Sequence, residues 1–176
     1  MKTALHQRFG AYGMTAVLAL LGGGAVMRRC APAPTPAPVP AAVPTSPVGS
    51  NVLDEVLSLT NQNRANAGLA PLAMNTALST AAQAHSLYQA NIGTITHTGS
   101  ASTNPGQRIA SAGYSASTWG ENVASGYPTA SAVIDGWMNS QGHRDNILNA
   151  NFTEIGLAAV TGANGIIYWT MDLARA

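Results

Sequence analysis

The 176-residue chain contains one cysteine and, after Lys2, no lysine. Because Cys30 has no partner, an intramolecular disulfide is excluded. A thiolate metal site or a cysteine nucleophile is excluded from the rest of the chain for the same reason. The sequence also lacks an HExxH helix, a phosphate-binding glycine loop, a dinucleotide fingerprint and a Gly-x-Ser-x-Gly elbow. None of these common enzyme signatures therefore identifies a reaction.

Charged residues are scarce and unevenly placed. Only 9% of the residues are charged, and half of the eight positive ones lie before residue 30. From residue 50 onward, four arginines stand against seven acids, so this part carries 4 − 7 = −3, whereas the whole chain carries +1. A nucleic-acid-binding protein needs a basic face that displaces counterions from phosphates. We therefore expect no nucleic-acid partner.

Residues 1–30 are typical of an export signal. Lys2 and Arg8 precede an apolar run over residues 11–27, which is the order of a secretory leader. The run is slightly short for a membrane span, and three consecutive glycines weaken it as a helix. A cleaved signal, an uncleaved signal-anchor and lipid attachment at Cys30 all remain open. In each case membrane contact is expected only through this N-terminal segment.

Residues 31–49 form a linker rich in proline and alanine. Proline occurs at positions 32, 34, 36, 38, 40, 44 and 47. Because proline interrupts the hydrogen bonds of helices and sheets, alternating prolines favour extended polyproline II. We expect this segment to space the body of the protein from a membrane or a cell wall, or to serve as a linker without a length requirement.

The body, residues 50–176, is predicted to begin with helices and to end with strands. Ser50 or Asn51 can cap a first helix that Gly68 ends, and Asn75 can cap a second that runs to about Gly93. Shorter helices are predicted over 105–113, 129–138 and 144–148. Residues 120–124 resemble a strand, and residues 155–171 alternate around a glycine-containing turn as in a β-hairpin. This order predicts an α+β fold rather than a parallel α/β fold.

Three polar islands lie in this body, each with an ionisable side chain beside a glycine or a turn. They are Thr96-His97-Thr98, Gly120-Glu121-Asn122 and Gly142-His143-Arg144-Asp145-Asn146. Further motifs follow in a fixed order: Asn63-Arg64, Arg108, Trp137-Met138-Asn139-Ser140, Asn146-Ile147-Leu148, Glu154-Ile155-Gly156 and Tyr168-Trp169-Thr170. In this series the sequence resembles the CAP superfamily, the SCP-like or pathogenesis-related-1-like domain, in its bacterial secreted branch. The resemblance implies a CAP/SCP-like domain over residues 50–176, a three-layer α-β-α sandwich and an extracytoplasmic location.

The resemblance also implies a polar cleft with two histidines and two acids. The matching residues are His97, His143 and Glu121, whereas Ser140 stands where eukaryotic members often have the second acid. Met171 replaces a glutamine that is frequent in bacterial relatives. Both departures make the cleft less polar. Glu154 is the other acid within the matching motifs, and it could equally support the start of a strand.

Several interpretations of these residues remain open. The candidate ligand-binding residues are His97, Glu121, His143 and Ser140. Two of them, His97 and His143, could hold a divalent metal such as zinc. Glu121 would then be a third ligand or the hydrogen-bond partner of a ligand. Glu121 could instead be a structural clasp. His85 is expected to be a hydrogen-bonded core histidine. The three tryptophans are expected to lie in the core or the cleft wall rather than to form a sugar-stacking platform.

Three functions fit this interpretation. The first is an exported, non-catalytic binding domain for a metal ion, a lipid or another component of the cell envelope. The second is a metal-assisted hydrolase in which Glu121 deprotonates a bound water, although hydrolytic zinc sites normally have three protein ligands. The third is a structural domain that acts through its surface. We expect a monomer that requires no cofactor.

Overall fold

The computed structural model describes residues 46–176, so the predicted export signal and most of the predicted linker lie outside the described residues. The helices are α1 (Ser50–Asn66), α2 (Thr76–Ile92), α3 (Pro105–Ser111), α4 (Ala130–Asn139) and α5 (Gln141–Ile147), with a 3-10 turn at Ser100–Ser102. The strands are β1 (Ser46–Pro47), β2 (Ala73–Met74), β3 (Thr118–Ser125), β4 (Glu154–Thr161) and β5 (Ile167–Arg175). Among these residues, no helix is both long and apolar enough to cross a membrane.

The sheet is built around the predicted hairpin of β4 and β5. Its strand order is β1-β4-β5-β3, and the pairs β4–β5 and β5–β3 are antiparallel. The short strand β2 pairs with the first residues of β4 in parallel. Since β5 lies between β4 and β3, it brings the polar residues of β3 next to its own residues 168–175.

Helices cover both faces of the sheet and form the three-layer α-β-α sandwich that the resemblance implied. The larger core joins α1, α4 and α5 to one face of the strands, with Trp137 and Trp169 among its buried residues. On the opposite face, α2 packs against β4 and β5, and α3 packs against α2. Because successive side chains of a strand point to opposite faces, β3 supplies residues to both layers.

Local signals explain where the helices begin and end. The Asn75 side chain accepts hydrogen bonds from the backbone N–H groups of Ala77 and Leu78, and Gly93 ends α2 with φ = 71°, as predicted. Helix α1 differs from the prediction, because its N-cap is Gly49 and no side chain caps it. Because α1 buries its apolar side against α4 and β4, packing stabilises the helix without a side-chain cap.

Gly156 of β4 allows α2 to lie close to the sheet. A Cβ atom at this position would overlap the backbone of Leu78 and Ser79. The layer that carries His85 therefore approaches the strands more closely than any larger residue would permit.

The end of the predicted linker belongs to the fold. Pro47 pairs with Val160 as part of β1, and the Val48 N–H donates to the Ala159 carbonyl oxygen at 2.9 Å. Since a proline lacks the N–H group, it can occupy only an edge strand such as this one. The described fold therefore includes residues 46–49, which the sequence analysis assigned to the linker.

Candidate functional site

Glu121 is the centre of a buried polar cluster between β3, α2 and α3. One carboxylate oxygen, Oε1, accepts a hydrogen bond from Nδ1 of His97 at 2.7 Å. The other, Oε2, accepts one from Nη2 of Arg108. The Glu121 side chain is 1% exposed. Both oxygens are thus engaged and the carboxylate is sequestered from solvent, which fits the interpretation of this residue as a clasp.

Arg108 connects this carboxylate to the loop that precedes α3. Its Nη1 donates to the carbonyl oxygens of His97 and Thr103, each at 3.0 Å. A guanidinium group suits this task because its planar fork offers several donors in fixed directions. Arg108 therefore holds the His97 backbone while Glu121 orients the His97 ring.

His85 contributes to the same cluster from α2, and it is buried as the sequence predicted. Its Nε2 donates to the carbonyl oxygen of Thr96 at 2.6 Å and lies 3.8 Å from Oε2 of Glu121. Burial lowers the pKa of His85, although the nearby Glu121 charge opposes this effect. The neutral His85 ring therefore packs beside the Glu121 carboxylate, and its N–H group is used by the Thr96 carbonyl oxygen rather than by Glu121.

Asp172 is the acid that sequence reasoning missed. It faces Glu121 across the β3–β5 pair, is fully buried, and has no hydrogen-bond partner for either carboxylate oxygen among the described residues. Burial, and then the Glu121 charge, raise the pKa of Asp172 well above its usual range. The available signal was an aspartate in an otherwise apolar strand, but its proximity to Glu121 depends on strand register.

Replacement of Asp172 by asparagine should stabilise the protein at neutral pH. A carboxyl group whose pKa is raised on folding makes stability fall as pH rises from the unfolded pKa toward the folded one. Asp172→Asn keeps the shape and removes this ionisation. We expect urea unfolding to show a gain at pH 8, about 1.4 kcal/mol for each unit by which folding raises the Asp172 pKa, and a smaller gain at pH 4.

The matched control is Asp135→Asn, which changes an exposed aspartate of α4. This control should leave the unfolding free energy within about 0.5 kcal/mol at both pH values. If Asp172→Asn were less stable than the wild type at pH 8, Asp172 would be a charged group with a stabilising partner, and its assignment as a buried neutral acid would be wrong.

His143 and Ser140 lie on the other side of β3, where a groove of about 280 Å³ opens between the strand and α4. Ser140 joins α4 to α5, and His143 lies one turn later. The Asn122 side chain is buried and donates from Nδ2 to the His143 carbonyl oxygen at 3.0 Å, while its Oδ1 accepts from Asn146 at 2.9 Å. The Gly-Glu-Asn motif thus fixes Glu121 on one face of β3 and α5 on the other.

His97 and His143 are the accessible imidazoles of the site. The His97 side chain is 57% exposed, and its hydrogen bond to Glu121 is the main reason that its pKa is raised. Burial lowers the pKa of His143, and the charge of His97 lowers it further. The two rings therefore interact electrostatically, and protonation of one disfavours protonation of the other.

The donor set fits only a weak metal site. Because Nδ1 of His97 is bonded to Glu121, its Nε2 is the nitrogen that a metal could use, with Glu121 orienting the ring from behind. Glu121 itself is fully engaged and does not fit as a third ligand. Within residues 46–176, no group of three or more His, Cys, Asp or Glu side chains is placed to hold a metal ion. His97 and His143 would leave the remaining coordination positions to water.

Glu154, the other acid within the matching motifs, and Met171, the second departure from the family pattern, both have structural roles. Glu154 accepts hydrogen bonds from Asn75 at 2.8 Å and from the Tyr114 hydroxyl, and these bonds, the one from Tyr114 first, lower its pKa. Met171 is fully buried, with its sulfur 3.9 Å from Nδ2 of Asn122. Neither residue joins the accessible part of the site.

Residues 57–173 match the CAP family, described as the cysteine-rich secretory protein family. The chain belongs to this family. The match confirms the resemblance found in the ordered motifs and covers every residue of the candidate site. Since Cys30 is the only cysteine, the matched segment contains none, and this CAP domain is held together without disulfides.

Several of the similar proteins come from bacteria. The chain is 39% identical to the uncharacterized protein YkwD of Bacillus subtilis over 118 residues. The aligned segment is 67% of this chain and 45% of YkwD. An extracellular protein containing an SCP domain from Bacillus anthracis is 27% identical with a TM-score of 0.64, covering 70% of this chain and 40% of that one. An outer surface protein of Borrelia burgdorferi, at 22% identity, shares the fold, with a TM-score of 0.69 over 75% of this chain and 98% of the Borrelia chain. The chain thus spans less than half of YkwD.

Proposed function

We propose that this CAP domain is an exported, non-catalytic binding module whose ligand contacts the exposed ring of His97 and the groove beside His143 and Ser140. One observation carries the proposal. Glu121, the acid that a hydrolytic mechanism would use, has both oxygens hydrogen-bonded and a side chain that is 1% exposed. A general base must reach the proton that it abstracts, whereas a positioning residue needs no such access.

The proposed location and partners follow from the leader and the relatives. Residues 1–30 have the pattern of an export signal, and two of the similar structures are described as an extracellular and an outer surface protein. An envelope component, a lipid or a small ligand is therefore the proposed partner. The net negative charge of residues 50–176 argues against nucleic acid. We propose that the module acts as a monomer.

Zinc binding is the most direct test of the two imidazoles. The full chain should bind zinc modestly and reversibly at pH 7.5, since two nitrogen ligands form an incomplete site. His97→Ala and His143→Ala should each weaken binding about tenfold or more. Because a metal ligand must lose its proton and the pKa of His97 is raised, affinity should begin to fall at a higher pH than the value of about 6.5 expected for a free imidazole. Isothermal titration calorimetry between pH 6 and 8 measures this.

His6 supplies the matched control, because it lies in the predicted leader and is not part of the proposed site. His6→Ala should bind zinc as the wild type does. Equal affinity in both site variants, or no binding of zinc at pH 7.5, would contradict the metal part of the proposal while leaving the groove as a site for another ligand.

Binding, catalysis and structure can be separated with the same variants. His97→Ala also removes the donor to Oε1 of the buried Glu121 carboxylate, so it should cost about 1–3 kcal/mol of stability. His143→Ala breaks no side-chain hydrogen bond among the described residues, so it should leave the unfolding midpoint nearly unchanged while it weakens binding of zinc or of an envelope extract fraction. A large loss of stability in His143→Ala would support the structural interpretation instead. Ester or peptide hydrolysis that disappears on chelation would support the metal-assisted hydrolase and contradict a non-catalytic module.

A further inference from the structure

Trp119 differs from the other two tryptophans of the chain. Trp137 and Trp169 are buried, and their indole N–H groups donate to the carbonyl oxygens of Val123 and Tyr127. Trp119 is 44% exposed, and its indole has no hydrogen-bond partner among the described residues. The expectation that all three line the core or the cleft is therefore wrong for Trp119. A large exposed aromatic on a polar, weakly charged surface calls for an explanation.

The backbone at Gly106 fixes the position of this indole. A Cβ atom at Gly106 would come within 2.5 Å of Nε1 and 2.7 Å of Cε2 of Trp119. The pyrrole side of the ring therefore packs directly on the first turn of α3, and only glycine permits the contact. A ring held in this way loses little conformational entropy when a ligand binds to its free surface.

The indole forms one wall of a hollow of about 420 Å³ whose remaining lining combines apolar surface from Ala110 and Ala116 with uncharged polar groups. Asn104, Gln107 and Ser115 contribute amide and hydroxyl groups, and the ring of Tyr114 closes one side. Asn104 and Gln107 use their carboxamide oxygens in a capping box, so their NH₂ groups remain available as donors. Among the described residues, no Asp, Glu, Lys or Arg side chain lines the hollow. Its chemistry suits an uncharged ligand.

We propose that this hollow binds a neutral pyranose ring of a cell-envelope glycan, with Trp119 as the stacking platform. A pyranose presents a face of C–H groups and a rim of hydroxyls. The C–H face packs on the flat apolar indole, and the hydroxyls require the donors and acceptors that Asn104, Gln107 and Ser115 provide. A fatty acyl chain would leave those polar groups without partners, and a phosphate or carboxylate would find no cation.

The proposed glycan site is independent of the proposed function at His97 and His143. The hollow shares no lining residue with the groove beside His143. A domain with both sites could hold an envelope glycan at α3 while the groove contacts a different ligand. Failure of either proposal therefore leaves the other standing.

The test uses the full chain labelled with ¹⁵N and titrated with chitotetraose and, separately, cellotetraose. These neutral probes share the pyranose ring and differ in the N-acetyl group. In heteronuclear NMR spectra the Trp119 indole N–H resonance should shift saturably with at least one probe, while the resonances of Trp137 and Trp169 stay in place. Trp119→Ala should weaken binding about tenfold or more, and Trp119→Phe should restore part of it.

Two further variants make the outcome decisive. Gly106→Ala displaces the indole and should weaken binding without removing the ring, whereas His143→Ala should bind the probes as the wild type does. Because Trp119 is exposed, Trp119→Ala should keep the wild-type unfolding midpoint within the range of surface substitutions. If neither probe shifted the Trp119 resonance at about 10 mM, where even millimolar affinity is visible, or if Trp119→Ala bound equally well, the proposal would be overturned.

Discussion

Replacement of Trp137 by alanine should lower the free energy of unfolding by about 3–5 kcal/mol, the range for large aromatic truncations in a core. Trp137 is 2% exposed and belongs to the core that joins α4 to the sheet. Its Nε1 also donates to the Val123 carbonyl oxygen at 3.3 Å. The substitution thus removes an indole from a packed layer, leaves a cavity and strips one buried carbonyl oxygen of its donor.

Chemical denaturation of the wild type and of Trp137→Ala measures this loss. Trp119→Ala is the matched control, because it deletes the same side chain from a position that is 44% exposed, and it should cost less than about 1 kcal/mol. His97→Ala and His143→Ala should likewise cost less than Trp137→Ala. A loss below about 1 kcal/mol for Trp137→Ala would place this residue on a binding surface instead of in the core.

The elements that the sequence predicted well depend on signals close together in the chain. Asn75 and Gly93 mark the ends of α2 through their own hydrogen bonds and backbone angle, and the turn before β5 fixes the hairpin register. The ordered motifs also drew attention to His97 and Glu121, whose side chains form a hydrogen bond, whereas a binding role for these residues and for His143 stays a prediction. For α2 and the hairpin, the local sequence contains the physical cause of the structure.

The features that escaped prediction depend on contacts between distant segments. Asp172 meets Glu121 only because β5 pairs with β3 in one particular register. The pairing of Pro47 with Val160 likewise required the edge of β4. The exposure of Trp119 follows from the contact with Gly106 on α3, which no periodicity within β3 indicates. Such contacts become visible only once the layers are assembled.

Arg64 connects two distant segments that support the candidate site. It lies at the end of α1, is 1% exposed, and donates to four carbonyl oxygens. Its Nε bonds to Ala70 at 2.9 Å, its Nη1 to Ile147 at 2.8 Å and Asn149 at 2.9 Å, and its Nη2 to Phe152 at 3.2 Å. The guanidinium group therefore joins the loop after α1 to the segment between α5 and β4.

Arg64→Met should destabilise the domain by more than about 3 kcal/mol, since it leaves four buried or partly buried carbonyl oxygens without their charged donor. Arg64→Lys should recover only part of this loss, because an ammonium group has three donors and lacks the planar fork. Urea unfolding compares these variants with Arg144→Met, a control at a half-buried arginine whose hydrogen-bond partners, Met138 and Gln141, lie close to it in the chain. The control should cost about 1 kcal/mol or less.

The effect of Arg64 should extend to the groove, because Ile147 and Asn149 lie at the end of the helix that carries His143 and just beyond it. Once these carbonyl oxygens lose their donor, α5 is held to β3 chiefly by the hydrogen bonds of Asn122 and Asn146. In Arg64→Lys, which retains part of the fold stability, the NMR resonances of His143 should therefore shift or broaden, whereas those of Trp119 should not. If Arg64→Met unfolded within about 1 kcal/mol of the wild type, the four hydrogen bonds of Arg64 would be dispensable, and the hydrogen bonds of Asn122 and Asn146 together with packing would suffice to position His143.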